Sequence, residues 1–369
     1  MKLLSSAIPP FIQVPSHVDG EHVFEAALSL EAKLYRALPD IDEALMEYEK
    51  ERRPGYWKEW FRRKSGNYLS YIQMYAYIIS MAVPKYKPDM SKIRLLDYGA
   101  GWGLMSFLAK ETGISHVSYL ENDQESMGAA TIIGEVLGLS ADEYISGGEK
   151  SLQQGSPNRF DSVVSSDVLE HIYDVDSVFQ AIAWACSPGA VSFHQTGANP
   201  SSPIIRRKLM NLHRSVETQD PKELERMHEL GEKAIWEDRR DFIEAYAPEV
   251  NAAELRDLAI ASRGLNTSRL ELAIDTFREN KQLPIPEHPT NTCYLHGYWL
   301  ERLMDPASVA QKLSNCGFET RIAKTFWGPG RSTFIKRIAK HGLNLVTRVS
   351  TSLGMRVSFY YGIHGVKPE

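Results

Sequence analysis

Three glycines at alternate positions, directly after a short apolar run, are the residues of this chain that point most clearly to chemistry. In the segment RLLDYGAGWG they are Gly99, Gly101 and Gly103, and the predicted strand before them carries Asp97 near its end. Glycine tolerates positive φ and has no Cβ, so a ligand can lie against the backbone of such a loop. A helix predicted to begin at Leu104 would direct its unpaired N–H groups at that ligand. The segment therefore predicts a ligand-binding loop.

An acidic residue at the end of the next predicted strand would complete this site. Glu121 ends the run HVSYLE, where a carboxylate can accept the ribose hydroxyls of a bound adenosine, and Asp123 is the alternative for that role. A nicotinamide-binding loop of the form G-x-G-x-x-G would need a third glycine at position 104, which is leucine. The loop therefore argues against a dehydrogenase.

The glycine loop resembles motif I of the class I S-adenosylmethionine-dependent methyltransferases, which has the form D-x-G-x-G-x-G. Two further segments agree with that family in order and spacing. The run FDSVVSSDVLEH, which ends at His171, is similar to the family's fourth-strand segment, and Ser187-Pro188-Gly189 stands where the family has a Pro-Gly turn. The likeness covers about residues 92 to 197, and the segment around His171 resembles the small-molecule, ubiquinone-type O-methyltransferases.

The resemblance implies an α/β fold with a doubly wound, seven-stranded and mostly parallel sheet. Apolar runs that alternate with helical segments independently predict parallel βαβ units. A basic amphipathic helix is predicted over 333–349 and the final strand over 357–366. Four regions follow: N-terminal helices (1–88), an S-adenosylmethionine-binding core (89–197), a helical insertion after strand five that covers the substrate (198–303), and a segment that completes the sheet (304–369).

The resemblance also implies which residues bind S-adenosylmethionine. Asp97 would orient the glycine loop and hold the methionine end of the cofactor. The family often has an acid after the third strand that contacts the adenine, but here Gly148 stands at that position, so either Glu149 or a backbone group takes the role. The predicted cofactor-binding residues are Asp97, Gly99, Ala100, Gly101, Gly103, Glu121, Asn122, Glu149, Asp167 and Val168.

Methyl transfer to a hydroxyl needs a base for the proton, and an imidazole with a pKa near ~6.5 suits that task. Four histidines are expected near the cleft: His171, His194, His288 and His296. We predict His171 and His296 as the catalytic candidates. An amine or a carbanion as acceptor would need no dedicated base.

The predicted substrate-binding residues come from three regions of the chain: Tyr68 and Tyr71 before the core, His194 on strand five, and Arg206 and Tyr298 in the insertion. The tetrapeptide N-P-P-Y, typical of nucleic-acid amino-methyltransferases, is absent at the fourth strand, where the sequence reads SDVL. A net charge of −5 over 369 residues also gives no basic field for a polyanion. We therefore expect a small polar metabolite or a glycan end as acceptor, and no nucleic acid.

A metal site is an alternative use of the fourth-strand segment. Asp167, Glu170 and His171 have a spacing that could ligate a divalent ion, and ubiquinone-type O-methyltransferases can hold one at comparable positions. The same D-V-L-E-H pattern occurs in relatives without metal, where the acids cap the next helix. We therefore predict no metal site.

A basic stretch near the C-terminus suggests a second kind of contact. Residues 331 to 356 contain no Asp or Glu but six basic residues: Arg331, Lys336, Arg337, Lys340, Arg348 and Arg356. An amphipathic helix of this composition can rest on an anionic membrane, although we expect its apolar side to pack on its own domain. The alternatives to a small-molecule enzyme are thus a peripheral-membrane lipid or quinone methyltransferase and an inactive, methyltransferase-like binding subunit.

The remaining composition points to an ordinary globular protein. The chain has no run of roughly 18 apolar residues, and its N-terminus is a poor secretory signal. Its three cysteines have no zinc-binding spacing, so we expect a cytoplasmic location. The aromatic N-terminal helices allow a homodimer.

Overall fold

The structure is a computed structural model. It describes residues 7–9, 12–50, 68–218, 234–286, 292–293, 298–299, 301–324 and 334–369. The predicted catalytic residue His296 lies outside these residues.

A seven-stranded sheet forms the centre of the fold. Its strands are β1 (Arg94–Tyr98), β2 (His116–Glu121), β3 (Glu143–Ser146), β4 (Phe160–Ser166), β5 (Cys186–Thr196), β8 (Glu319–Lys324) and β9 (Tyr361–Val366). Their order is β3-β2-β1-β4-β5-β9-β8, and β9 runs antiparallel to both of its neighbours while the others are parallel. The doubly wound, mostly parallel sheet is therefore confirmed. A separate two-stranded hairpin, β6 (Thr292–Cys293) and β7 (Tyr298–Trp299), was not expected.

Thirteen α-helices lie in the described part of the chain: α1 (Gly20–Glu49), α2 (Tyr68–Ala82), α3 (Leu104–Glu111), α4 (Gln124–Leu137), α5 (Glu149–Gln153), α6 (Val175–Ala185), α7 (Pro203–Thr218), α8 (Ile235–Tyr246), α9 (Ala252–Ala261), α10 (Thr267–Asn280), α11 (Pro306–Asn315), α12 (Phe334–Val349) and α13 (Thr351–Val357). Side chains cap several N-termini; Asp174 accepts from Ser177 and Asp305 from Ser308. Such caps satisfy N–H groups that have no partner within the helix. None of the described helices has both the length and the apolar character that crossing a bilayer requires.

The chain forms two compact units. The first unit contains residues 1–169, 174–197 and 305–369, and with them the whole seven-stranded sheet. The second contains residues 170–173 and 198–304, with α8 to α10 packed around a small apolar core of its own. In that second unit Arg239 is fully buried, where it pairs with Glu217 and donates to the carbonyl of Ala259.

Packing of α2 and a polar cluster fix the sheet of the first unit. Tyr77 of α2 contacts Phe193 of β5 edge to face, with ring centroids 5.9 Å apart. At the other end of the sheet, the carboxylate of Asp161 on β4 accepts from the backbone and guanidinium of Arg94 and from Lys87. Burial opposes ionisation of Asp161, but these hydrogen bonds outweigh it and lower its pKa to about 2. The carboxylate thereby joins the beginnings of β1 and β4.

Two predicted boundaries were wrong. The segment Ser187-Pro188-Gly189 lies within β5, because the pairing of β5 with β4 begins at Cys186 and shifts register there, so that a bulge replaces the expected turn. The final strand begins at Tyr361, not at Val357. Helix α13 fills the preceding positions, since the Ser350 side chain accepts from the N–H of its first turn.

Candidate functional site

The glycine loop after β1 has the backbone that its composition predicts. Gly99, Gly101 and Gly103 have φ values of +70°, +52° and +76°. A Cβ on Gly99 would lie 2.6 Å from the side chain of Val168, so close packing excludes any larger residue there. A Cβ on Gly101 would meet nothing within 4 Å. The loop is thus packed from below at Gly99 and open above Gly101, where a ligand can lie against the backbone.

Hydrogen bonds to β2 hold this loop in place. The N–H groups of Gly99 and Ala100 donate to the carbonyl of Leu120 at 2.9 and 3.0 Å. Gly101 is held at both of its polar groups. Its N–H donates to the Glu121 carboxylate at 2.9 Å, and its carbonyl accepts from the Tyr119 hydroxyl. Tyr119 and Glu121 lie on the same face of β2, because side chains two residues apart along a strand point the same way.

Glu121 therefore points at the glycine loop. Its second oxygen accepts from the N–H groups of Asn122 and Asp123, at 2.8 and 3.1 Å. Burial raises the pKa of Glu121, and these backbone N–H groups partly offset the rise. Asp123, the alternative ribose ligand, instead accepts from the first turn of α4 as its N-cap. Asn122 is exposed next to both carboxylates.

Asp97 is fully buried beneath the loop. One carboxylate oxygen accepts from the Ser106 hydroxyl of α3 at 2.7 Å, and the other has no hydrogen-bond partner among the described residues. Burial raises the pKa of Asp97 to about 7; the Ser106 hydrogen bond opposes this rise, and the nearby charge of Glu121 adds to it. Near neutral pH, a small change in surroundings can therefore change the charge of this carboxyl.

The third-strand side of the loop carries Glu149 and Tyr98. Glu149 is the first residue of α5, and Tyr98 ends β1. Burial raises the pKa of Tyr98, and the charges of Glu149 and Glu121 add to that rise. The hydroxyl of Tyr98 lies 3.8 Å from the Cβ position that Gly148 lacks. These groups surround the place where the resemblance expects the adenine.

The ends of β4 and β5 meet at the same edge of the sheet. Asp167 directly follows β4 with φ +55°, and its carboxylate accepts from the N–H of Gly197 at 2.8 Å. Val168 covers Gly99, as described above. The ring of Tyr360, which precedes β9, lies 3.2 Å from the Cβ position that Gly197 lacks. Val168 is thus brought to the glycine loop, while Asp167 lies at Gly197 beside Tyr360, which the sequence did not indicate.

The tyrosines of α2 differ in position. Burial raises the pKa of Tyr75, and the charges of Asp167 and Asp97 and the neighbouring Tyr71 add to the rise, so Tyr75 lies near both carboxylates and next to Tyr71. Tyr68 is fully buried, with its ring 5.8 Å from that of Tyr35. The structure gives Tyr68 a packing role in the core, in contrast to its predicted contact with substrate.

His194 also has a structural position. It is fully buried on β5, and its two ring nitrogens lie 2.8 Å from the Ser165 hydroxyl and 2.6 Å from that of Ser192. Burial lowers the pKa of His194 to about 3, so the ring is neutral. With both nitrogens engaged, this histidine does not offer the predicted contact to a substrate.

The remaining predicted residues belong to the second unit. His171 ends a 3-10 turn, and ligand atoms of Glu170, His171 and Glu301 lie within 4.8 Å of one another. Asp167 is not part of this group, and the absence of a metal stays a prediction. Arg206 is exposed on α7, where it lines an open cavity of about 540 Å³. Tyr298 lies on β7, and its side chain is outside the described residues.

Comparison with known proteins agrees with this geometry. Residues 68–243 match the family model described as a methyltransferase domain. Over these residues the chain is similar to the class I methyltransferases. The Ubiquinone biosynthesis O-methyltransferase of Aeromonas salmonicida is 31% identical over 113 residues, which are 30% of this chain and 47% of that protein. The protein of the same name from Hahella chejuensis is 33% identical over 110 residues, 30% of this chain and 45% of that protein.

The chain thus spans about half the length of the curated relatives that it matches. Among solved structures, an S-adenosylmethionine dependent methyltransferase from Mesorhizobium loti is 16% identical, with a TM-score of 0.38 over 76% of this chain and 94% of that one. The resemblance to class I methyltransferases, including the ubiquinone type, is confirmed by the family model and the curated relatives.

The contact between Gly99 and Val168 in the methyltransferase domain yields a test on stability. Gly99→Ala adds a methyl group 2.6 Å from Val168 at φ +70°, whereas Gly113→Ala adds one at φ +82° with nothing within 4 Å. Both substitutions should lower the free energy of unfolding by about 1–2 kcal/mol through backbone strain. Gly99→Ala should lower it by about 1–3 kcal/mol more, because its methyl group overpacks against Val168. Urea unfolding measures both. Equal losses of unfolding free energy in the two variants would show that the Val168 side chain moves away from the added methyl group without cost.

Proposed function

We propose that this chain transfers a methyl group from S-adenosylmethionine to a hydroxyl of a small polar metabolite or saccharide. The observation that carries the proposal is Gly101: its backbone is clamped by Tyr119 and Glu121, and the space above it is open. The matched methyltransferase domain supports the reaction class. The names of the curated relatives support O-methylation. The small-molecule acceptor is inferred from the absence of nucleic-acid features in the sequence.

The residues present fit S-adenosylmethionine. The Glu121 carboxylate accepts from three backbone N–H groups, and a carboxylate has roughly four acceptor positions, so capacity for a ribose hydroxyl remains. The Asp97 oxygen that has no partner among the described residues suits the ammonium group at the methionine end. Glu149 and Tyr98 would border the adenine. An inactive binding subunit is less well supported, because the glycines and both acids of the site are in place.

The bound cofactor would supply a methyl group on a sulfonium, whose carbon–sulfur bond would break to leave a neutral thioether. The chain's own task is then alignment of the acceptor oxygen with that carbon, and orientation of this kind is worth roughly 7–11 kcal/mol. As the oxygen–carbon bond forms, the acceptor's hydroxyl proton must pass to a base. His171 and His296 are the proposed bases.

Substitution of Gly101 tests cofactor binding. Gly101→Arg fills the open space over the loop with a side chain at φ +52°, so titration calorimetry with S-adenosylhomocysteine should detect no binding, while the wild type binds at micromolar levels. Gly113→Arg is the matched control, since Gly113 also has positive φ and open surroundings. The proposal fails if the wild type does not bind, or if Gly101→Arg binds as the wild type does.

The titration of Asp97 predicts a pH dependence. Burial raises its pKa to about 7, so the carboxyl is mostly neutral near pH ~6 and mostly ionised near pH ~8. Since the ionised form attracts the ligand's ammonium group, affinity for S-adenosylhomocysteine should rise roughly tenfold over this range. Asp97→Asn should flatten the profile. Asp97→Asn should also stabilise the fold at pH ~8. A carboxyl whose pKa is higher in the folded than in the unfolded protein lowers the free energy of unfolding as pH rises between these two values, and the amide removes that loss.

A peripheral-membrane methyltransferase is the second candidate, and the surface of α12 favours it. Ile338 and Leu345 are 56% and 62% exposed, whereas Asn344 and Thr347 are 1% and 5% exposed. Ile338 and Leu345 lie two turns apart on one face, so α12 turns apolar side chains outward. The stretch 331–356 also lacks acidic residues. Exposed apolar side chains on a basic helix suit the headgroup region of an anionic bilayer.

Vesicle flotation tests this candidate. The wild type should float with phosphatidylcholine vesicles that contain phosphatidylglycerol and not with phosphatidylcholine alone, because the attraction is partly electrostatic. Leu345→Asp should weaken flotation roughly tenfold, since it removes an inserting side chain and adds a negative charge. Leu272→Asp is the control, as Leu272 is 66% exposed on a helix of the second unit. Flotation that does not depend on anionic lipid, or that Leu345→Asp leaves intact, would count against a membrane-bound enzyme.

A further inference from the structure

Two neighbouring polar side chains at the end of the sheet are buried without hydrogen-bond partners. Gln195 on β5 is 1% exposed, and neither its amide oxygen nor its amide nitrogen has a partner among the described residues. Ser166 is the adjacent residue on β4 in register, and its hydroxyl is likewise buried and without a partner in the described chain. Since buried polar groups in folded proteins are almost always hydrogen-bonded, this pair needs an explanation.

The backbone around the pair is fully ordered by its own hydrogen bonds. The carbonyl of Gln195 accepts from the N–H of Asp167 at 2.9 Å, and Asp167 in turn accepts from the N–H of Gly197 at 2.8 Å. A shifted strand register would leave these backbone groups unpaired as well. Within the described part of the chain, the polar groups of this pair that lack partners therefore belong to its side chains.

The pair lies on the face of the sheet that α2 covers. On β4, Ser162 donates to the carbonyl of Ala82 at the end of α2, and on β5, Phe193 contacts Tyr77 of the same helix. Because side chains alternate along a strand, Ser166 shares a face with Ser162, and Gln195 shares it with Phe193.

The side chain of Asp97 lies on this face of the sheet as well. It pairs in register with Val164, which lies between Ser162 and Ser166 on the same side of β4. Asp97 also carries a buried oxygen without a partner in the described residues. The unpartnered oxygens and amide of β1, β4 and β5 thus share one face, next to the glycine loop.

We propose that Gln195 and Ser166 bind the methyl acceptor, and that the group they bind is neutral and carries a hydroxyl. This inference rests on the proposed methyltransferase function. An amide and a hydroxyl each offer a donor and an acceptor, which complements a hydroxyl on a ligand. An anionic group would meet the carboxylates of Asp97 and Asp167 at the same edge, so the charge of the surroundings disfavours it.

Stability alone does not separate this role from a structural one. Gln195→Met keeps the length of the side chain and removes its polar atoms, so it should leave the melting temperature unchanged or raise it in either case. The deciding measurement is transfer of labelled methyl from S-adenosylmethionine into the metabolite fraction of a cell extract. Calorimetric affinity for S-adenosylhomocysteine is measured in parallel on the same variants.

Gln195→Met and Ser166→Ala should each lower labelled-methyl incorporation by roughly tenfold or more, because the acceptor loses a hydrogen bond, while affinity for S-adenosylhomocysteine stays within about twofold. Gln311→Met, on an exposed helix face, should change neither quantity. Undiminished transfer by both site variants overturns the inference, and so does a parallel loss of S-adenosylhomocysteine affinity, which would make the pair a cofactor contact. If the wild type binds S-adenosylhomocysteine but transfers no label, the proposed function fails, and this inference fails with it.

Discussion

The hydrogen bonds between the glycine loop and β2 are the constraint on which the candidate site depends. A loop of positive-φ glycines has no side chains to pack, so its polar backbone groups must find partners elsewhere. Here β2 provides them through the Leu120 carbonyl, the Tyr119 hydroxyl and the Glu121 carboxylate. The same contacts that hold the loop open also fix Glu121 beside it. The geometry of the loop and the position of the Glu121 carboxylate are therefore determined together.

Asp97 and His194 are equally buried but differ in how far their polar atoms are hydrogen-bonded within the fold. Both residues lie fully buried within the sheet, and burial favours the neutral form of each. It raises the pKa of Asp97 and lowers the pKa of His194. His194 has a hydroxyl at each ring nitrogen, so its polar capacity is used within the fold. Asp97 keeps one oxygen without a described partner, as Gln195 and Ser166 keep theirs. Unused polar capacity, rather than burial, therefore distinguishes the residues that we propose contact a ligand from those that hold the fold.

The sequence predicted what depends on local pattern and missed what depends on neighbours. Alternating apolar runs located β1 to β5, and the glycines with Glu121 located the loop. A strand position alone cannot tell a core histidine from a cleft histidine, so His194 was assigned to the substrate. Gln195 was overlooked because its lack of partners depends on residues from β4 and α2. Ser106 and Tyr119 carried a usable signal: one lies in the first turn after the loop, and the other is two residues before Glu121.

The segment between β8 and β9 connects the surface helix α12 to the edge of the sheet. The antiparallel pairing places Tyr361, where β9 begins, beside Thr196 at the end of β5 and beside Lys324 at the end of β8. The chain therefore leaves and re-enters the sheet at the edge that carries the glycine loop. Helix α12 lies in this segment, and among its described side chains Asn344 is buried while Leu345 is exposed. Any partner that covers the exposed Leu345 would therefore lie against a segment whose two ends meet the sheet beside the glycine loop.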